Sequence, residues 1–263
     1  MTHSETSTGV INDLETISSY IRAHNTALSI IDCVTSLGAC NVPVDEWDLD
    51  IVASGSQKGY MIPPGLSFIA MSQKAWDAAE KSNLPKFYLN LKSYKKSLSS
   101  HSNPYTPAVN LVFALDEALK MMREEGLDNI FLRHNKHKLA ISNAVKVLNL
   151  KLFADEKYLS PSVTAIKTEG MDAEQFRKTI KDKFDILLAG GQDHLKGKIF
   201  RVGHLGYIND RDIITVVSAM SNTLLKLGKI TAQQAGEALV IVCLLYTSPS
   251  PRDSRVSRMP SSA

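Results

Sequence analysis

Short apolar runs separated by turn residues fill the first part of the chain, and longer stripes at three- and four-residue spacing replace them later. Leu28 to Ile31 stop abruptly at Asp32. Leu49 to Ala53 run into the turn Ser54-Gly55-Ser56, and Leu66 to Met71 follow the tight loop Pro63-Pro64-Gly65. Runs this short, bounded by turn residues, fit strands buried in a parallel sheet. From about Tyr105 the period changes. Val109, Val112, Leu115, Leu119 and Met122 mark one face of a helix that Gly126 is placed to end. Residues 162–167 (SVTAIK) and 198–202 (KIFRV) read as further strands, and Asp172 with Gln175 reads as a capping pair for the helix between them. Ile213, Val217, Met220, Leu224 and Leu227 form a second helical stripe, and Thr231 with Gln234 is placed to cap a last helix.

The pattern predicts an α/β chain of two domains: a larger one over residues 1–115 built on a mostly parallel sheet, and a smaller C-terminal α/β domain over residues 116–245. The boundary falls in the long helix between Pro107 and Gly126, and no internal repeat is visible. Residues 246–263, rich in Ser, Pro and Arg, are predicted to be disordered. Their abrupt junction with an apolar stretch resembles sequence of non-native origin.

Composition narrows the function classes. With 263 residues, 44% hydrophobic and 22% charged, the chain has an ordinary globular makeup. A net charge of +3 is too small to call for a nucleic-acid or membrane partner. No apolar run spans a bilayer; Ala238 to Leu245 is the best and far too short. Three cysteines, Cys33, Cys40 and Cys243, offer neither a disulfide framework nor paired metal spacing. The expectation is a soluble, cytoplasmic protein without a metal. His134 and His137 have the spacing of two ligands on one helix face, but within the basic run Arg133 to Lys138 they read as a solvated face. Gly190-Gly191 reads as a turn between strands rather than a dinucleotide fingerprint, and Cys243 as a buried or junction thiol.

The chemistry concentrates at two strand ends. Ser54-Gly55-Ser56-Gln57-Lys58-Gly59 sets one lysine just past a buried strand among small residues. A lysine in a dry pocket loses proton affinity and can attack a carbonyl cofactor; a surface-turn lysine is the plain alternative. Asp32 ends the preceding strand, where a carboxylate is suited to hold a proton on a pyridine nitrogen; capping the turn after Cys33 is its plain alternative.

His3 to Val10 (HSETSTGV), Ile31 to Ala39 (IDCVTSLGA), Trp47 to Gly59 (WDLDIVASGSQKG) and Pro63-Pro64-Gly65 together resemble class V aminotransferases of the alanine–glyoxylate and serine–pyruvate type. The resemblance continues through Thr106-Pro107 and Phe200-Arg201-Val202-Gly203 to about Leu227. It implies fold type I of the pyridoxal-phosphate transferases, and a transaminase moving an amino group from alanine or serine to glyoxylate or pyruvate. By position, Lys58 matches the lysine that carries pyridoxal 5'-phosphate and Asp32 the partner of its ring nitrogen. Val34 matches a residue packed on the ring, Thr6 a hydroxyl near the phenolic oxygen and the substrate, and Gln57 a phosphate contact. Thr106 matches a threonine reaching the cofactor phosphate of a neighbouring subunit, which implies a homodimer. Arg201 matches the clamp on the substrate carboxylate, a role its paired donors suit; a strand arginine in a surface ion pair is the alternative.

The sequence departs from the family pattern in one respect. HSETSTGV begins here at His3, whereas relatives carry a Gly-rich phosphate turn and a ring-stacking aromatic before it, and Asn103 stands where relatives carry a hydroxyl or an aromatic. The chain is therefore expected to be a fragment with an incomplete large domain, weakly active or inactive as written. The alternatives are a cysteine desulfurase-like lyase of the same fold, for which Cys243 is a poor nucleophile, and a non-catalytic accessory subunit of a soluble hydrogenase type.

Overall fold

In a computed structural model, which describes residues 1–24 and 26–246, the three early apolar runs pair into one sheet. Strands β1 (Ser4–Glu5) and β2 (Val10–Ile11) form a hairpin and helix α1 (Leu14–Ala23) follows. Strands β3 (Ile30–Asp32), β4 (Ile51–Gly55) and β5 (Ser67–Met71) then lie in the order β3-β4-β5. β3 and β4 are parallel, with Asp32 opposite Ala53. Thr2 adds a parallel bridge to Asp32 on the outer edge. β5 returns antiparallel to β4, because the loop through Pro63-Pro64-Gly65 is too short for the crossover a parallel neighbour needs. The sheet is thus mixed.

Helices α2 (Gln73–Glu80), α3 (Leu91–Ser99), α4 (Val109–Glu125) and α5 (Leu127–Val147) carry the chain onward. Gly126, at φ +84°, ends α4 as the pattern predicts and at once opens α5. A second sheet contains β6 (Lys151–Leu152), β7 (Val163–Lys167), β8 (Ala189–Gly190) and β9 (Ile199–Gly203), all antiparallel in the order β6-β7-β9-β8. Helix α6 (Ala173–Phe184) lies between β7 and β8 in sequence, and α7 (Asp210–Lys226) and α8 (Ala232–Tyr246) follow β9. Asp172 caps α6 by accepting from the Glu174 amide, without a reciprocal contact from Gln175. Thr231 and Gln234 form the reciprocal pair expected at α8: each backbone amide donates to the other's side-chain oxygen, at 3.0 and 3.2 Å.

The larger core gathers buried residues of α5 to α8 with β7 and β9, including Ile141, Ile166, Phe176, Phe200, Met220 and Leu224. A separate, smaller one joins Leu14, Ile31, Cys33, Leu49 and Val52 beneath the first sheet. Partners in register point to the same face of a sheet, so Ile31 and Val52 line the buried face of the first sheet. Ile30 and Ile69 lie on the other face, which is open to solvent.

Two sequence expectations are corrected here. Gly190 is not in a turn: it belongs to β8 and pairs with Phe200. Cys243 is exposed rather than buried, because Ala238 and Val242, one helical turn apart, point into the core and rotate Cys243 outward. Residues 247–263, most of the predicted disordered tail, lie outside the described residues. Among the described residues no helix is long and apolar enough to cross a membrane.

Candidate functional site

Parallel pairing of β3 and β4 places Asp32 and the turn carrying Lys58 at the carboxyl ends of neighbouring strands, where open α/β sheets present their functional groups. Asp32 Oδ1 accepts from the Val34 amide at 2.9 Å, and the Cys33 amide donates to the Ala53 carbonyl. The aspartate therefore shapes its own turn, as its plain reading held, while the exposed carboxylate keeps its second oxygen free of partners among the described residues. Val34 is half-buried beside it.

Lys58 is half-buried, and its ammonium makes no hydrogen bond or ion pair among the described residues. The Lys58 turn is wedged between two other loops. A Cβ on Gly59 would collide with the Leu37 carbonyl and the Gly38 Cα, and Gly38 itself has φ +84°. Only glycines allow the Asp32–Cys40 loop to approach the lysine turn this closely. The Ser56 hydroxyl, fully buried, donates to the Pro63 carbonyl and accepts from the Leu66 amide, holding the proline loop under the same turn. Gln57 is exposed, and its side chain folds back over Gly55.

Arg201, in β9, is brought to the opposite end of the chain. Its Nε donates to the Gly190 carbonyl at 2.8 Å and its Nη1 to the Thr6 carbonyl at 2.7 Å. Burial lowers its pKa, the neighbouring Arg177 adds to that, and Glu5 opposes it. The guanidinium stays charged at neutral pH. Two backbone carbonyls fix its plane, and its Nη2 edge has no protein acceptor among the described residues. The segment holding Thr6 is itself pinned to the second sheet: Ser4, Ser160 and Ser162 join buried hydroxyls at 2.7 and 2.8 Å, and Thr35 donates to the Ser4 carbonyl. His3, in the same segment, donates its amide to the Asp32 carbonyl. The residues from His3 to Thr6 thus run from Asp32 to Arg201. Thr106 is exposed and is not joined to these groups among the described residues.

The largest correction concerns His134 and His137, which are buried rather than on a solvated face. His134 Nε2 accepts from the Gly206 amide, and His137 Nε2 lies 3.1 Å from Asp210 Oδ1. Helices α7 and α8 pack on this side of α5, a cover no local reading of the basic run can reveal. Among the described residues no three His, Cys, Asp or Glu side chains converge as a metal site. Gly206, the two histidines and the serine cluster were not singled out from sequence for the site. Only the glycine pattern around positions 38, 59 and 206 offered a signal.

The amine without a counter-ion can act as a nucleophile, the carboxylate with a spare oxygen can accept from a cation, and the plane-locked guanidinium can donate to an anion. The aminotransferase class-V family profile matches residues 1–217. The soluble hydrogenase small subunit of Synechococcus sp. (strain PCC 6716) is 58% identical over 228 residues, covering 87% of this chain and 59% of that protein. The L-aspartate–glyoxylate aminotransferase of Paracoccus denitrificans is 35% identical over 86% of this chain and 58% of its own length. The crystal structure of ureidoglycine–glyoxylate aminotransferase from Bacillus subtilis superposes with a TM-score of 0.86 at 33% identity, over 94% of this chain and 65% of that one. The chain spans about 59% of the length of the first of these relatives.

Proposed function

The chain belongs to the class-V aminotransferase family, and on that premise we propose that it takes part in pyridoxal-phosphate-dependent transfer of an amino group from a small amino acid, alanine or serine, to a 2-oxo acid such as glyoxylate or pyruvate. The observation that carries this reading is the placement of Asp32 and the unpaired Lys58 at the ends of adjacent parallel strands. The residues present fit the cofactor: the free oxygen of Asp32 suits a protonated ring nitrogen, and the unpaired Lys58 amine suits the aldehyde at the opposite end of the ring. When bound, pyridoxal phosphate supplies the electron sink that makes a substrate Cα–H acidic.

Lys58 would hold the cofactor through its Nζ, and the same amine would move the substrate Cα proton, as base and then acid. Asp32 would keep the ring nitrogen protonated, and Val34 would pack on the ring. Gln57 and Thr106 would hold the phosphate, the latter from the second subunit of a homodimer. Arg201 receives the substrate carboxylate on its open Nη2 edge, with Thr6 beside it. The relatives' names support glyoxylate as the acceptor. A desulfurase-type lyase is disfavoured, because Cys243 sits on helix α8 rather than on a loop, and burial pushes the Cys40 thiol up to about 12. A second reading, a binding subunit of a redox complex, is favoured by the name of the Synechococcus relative.

Borohydride reduction of the chain with pyridoxal phosphate, followed by peptide mapping, tests the proposal. The pyridoxyl label is expected on Lys58 and absent from Lys58→Ala; a label on other lysines alone sinks the assignment and leaves the second reading.

A further inference from the structure

Helix α5 spends its side chains in an unusual order. Leu132 and Leu139 are 47% and 39% exposed, while His134 and His137 between them are 1% and 0% exposed. An imidazole in a core costs desolvation that a leucine does not, so its hydrogen bonds account for its place. His134 Nδ1 lies 2.7 Å from the Ile130 carbonyl and can only donate to it; Nε2 lies 3.1 Å from the Gly206 amide and can only accept. One neutral tautomer satisfies both. Burial pushes the His134 pKa down to about 4, which keeps that tautomer at neutral pH.

The adjacent Arg133 takes the other side of the same loop. Its Nη1 donates to the carbonyls of Gly206 at 2.9 Å and Ile208 at 3.0 Å, while Glu125 holds its Nε at 2.6 Å. Both backbone polar groups of Gly206 are therefore fixed by consecutive side chains of α5. The third side of Gly206 faces the Lys58 turn. A Cβ there would stand 3.3 Å from the Lys58 carbonyl oxygen and 3.4 Å from Met61 Cγ, and φ is +87°. The turn it abuts is strained: Met61 has φ +62°, uncommon for a bulky side chain, and closes the turn by donating to the Lys58 carbonyl at 3.0 Å. Such a conformation persists only where the surroundings over-determine it. Gly38 supports the turn on one side and Gly206 on the other.

We propose that His134 is a positioning residue for Lys58, fixing through Gly206 the backbone of the turn from which the lysine amine projects. The geometry stands without any assignment to Lys58, but its value for amino transfer rests on the function proposed above. Arg133 anchors the loop, and His134 sets the height at which Gly206 meets the Lys58 carbonyl.

Competitive acylation of the full chain without cofactor, read at each lysine by mass spectrometry, tests this. The exposed Lys178 on α6 serves as the internal reference. His134→Phe keeps a ring but loses the acceptor, and should change the Lys58 rate relative to Lys178 by about threefold or more. His134→Gln, which restores an acceptor, should recover most of the change. Gly206→Ala, which presses a methyl on the Lys58 carbonyl while leaving the α5 side chains in place, should change the same ratio and decides the matter if His134→Phe does not fold. An unchanged Lys58 ratio in folded His134→Phe overturns the proposal, as does a change that Gln fails to reverse. A structural role alone would lower the melting temperature without singling out Lys58. If borohydride labelling misses Lys58 while these ratios move as stated, the proposed function fails and the positioning role stands.

Discussion

The two sheets of this chain are built to different standards. The second is packed on helices α5 to α8 and encloses a continuous core in which Phe176 and Phe200 lie with ring centroids 5.0 Å apart. The first rests on five buried apolar residues, and its other face leaves Ile30 and Ile69 in solvent. Yet Asp32 and Lys58 are carried by the lightly covered sheet, and the well-covered one contributes Arg201 and the support under Lys58. The well-packed half supplies rigidity to groups that the other half presents.

That contrast can be broken most directly at Phe200. Phe200→Ala empties the centre of the larger core and should cost about 3–5 kcal/mol, read as a lower urea midpoint. A loss under about 1 kcal/mol would mean that the second sheet is not the source of stability. The next effect comes from acid. Burial pushes His3 and His134 from 6.5 down to about 4, and His204 to about 3. Below pH 6.5 the unfolded chain takes up protons that the folded one refuses, so stability is fully present above that value and is lost as pH falls towards 4 and 3. Two of these three groups lie in the second half. Urea midpoints should fall steeply between pH 7 and about pH 4, and a flat profile would contradict the burial of the three rings. The smallest effect belongs to the first core: Ile31→Val should cost about 0.5–1.5 kcal/mol. A larger loss there than at Phe200 would reverse the comparison.

Features set by neighbours in sequence were legible before folding. The stop at Gly126, the strand ends at Asp32 and beyond Ala53, and the Thr231–Gln234 cap all depend on residues a few positions apart. What escaped depends on distant cover. Within the basic run, His134 and His137 are buried only because helices more than seventy residues later fold over them, as the Asp210 contact to His137 shows. Gly190 carries no pattern of its own, and becomes a strand residue because Phe200 pairs with it. Sequence alone named Lys58, Asp32 and Arg201 as candidates, but not the support around them. Gly38, Gly59 and Gly206 matter through the atoms a side chain would strike, and those lie on other segments.

The contact between Arg201 and the Thr6 carbonyl also sets an order of events. The two residues are separated by 195 positions, and at ordinary synthesis rates Arg201 leaves the ribosome about 10–40 s after Thr6. Until then the HSETSTGV segment has no guanidinium to bind and no Ser160–Ser162 pair to meet. Closing so long a loop costs entropy before any contact repays it. The anchorage of Arg201 is thus assembled after the lysine turn and its aspartate have paired, and a nascent chain halted before β9 carries Lys58 and Asp32 without the guanidinium.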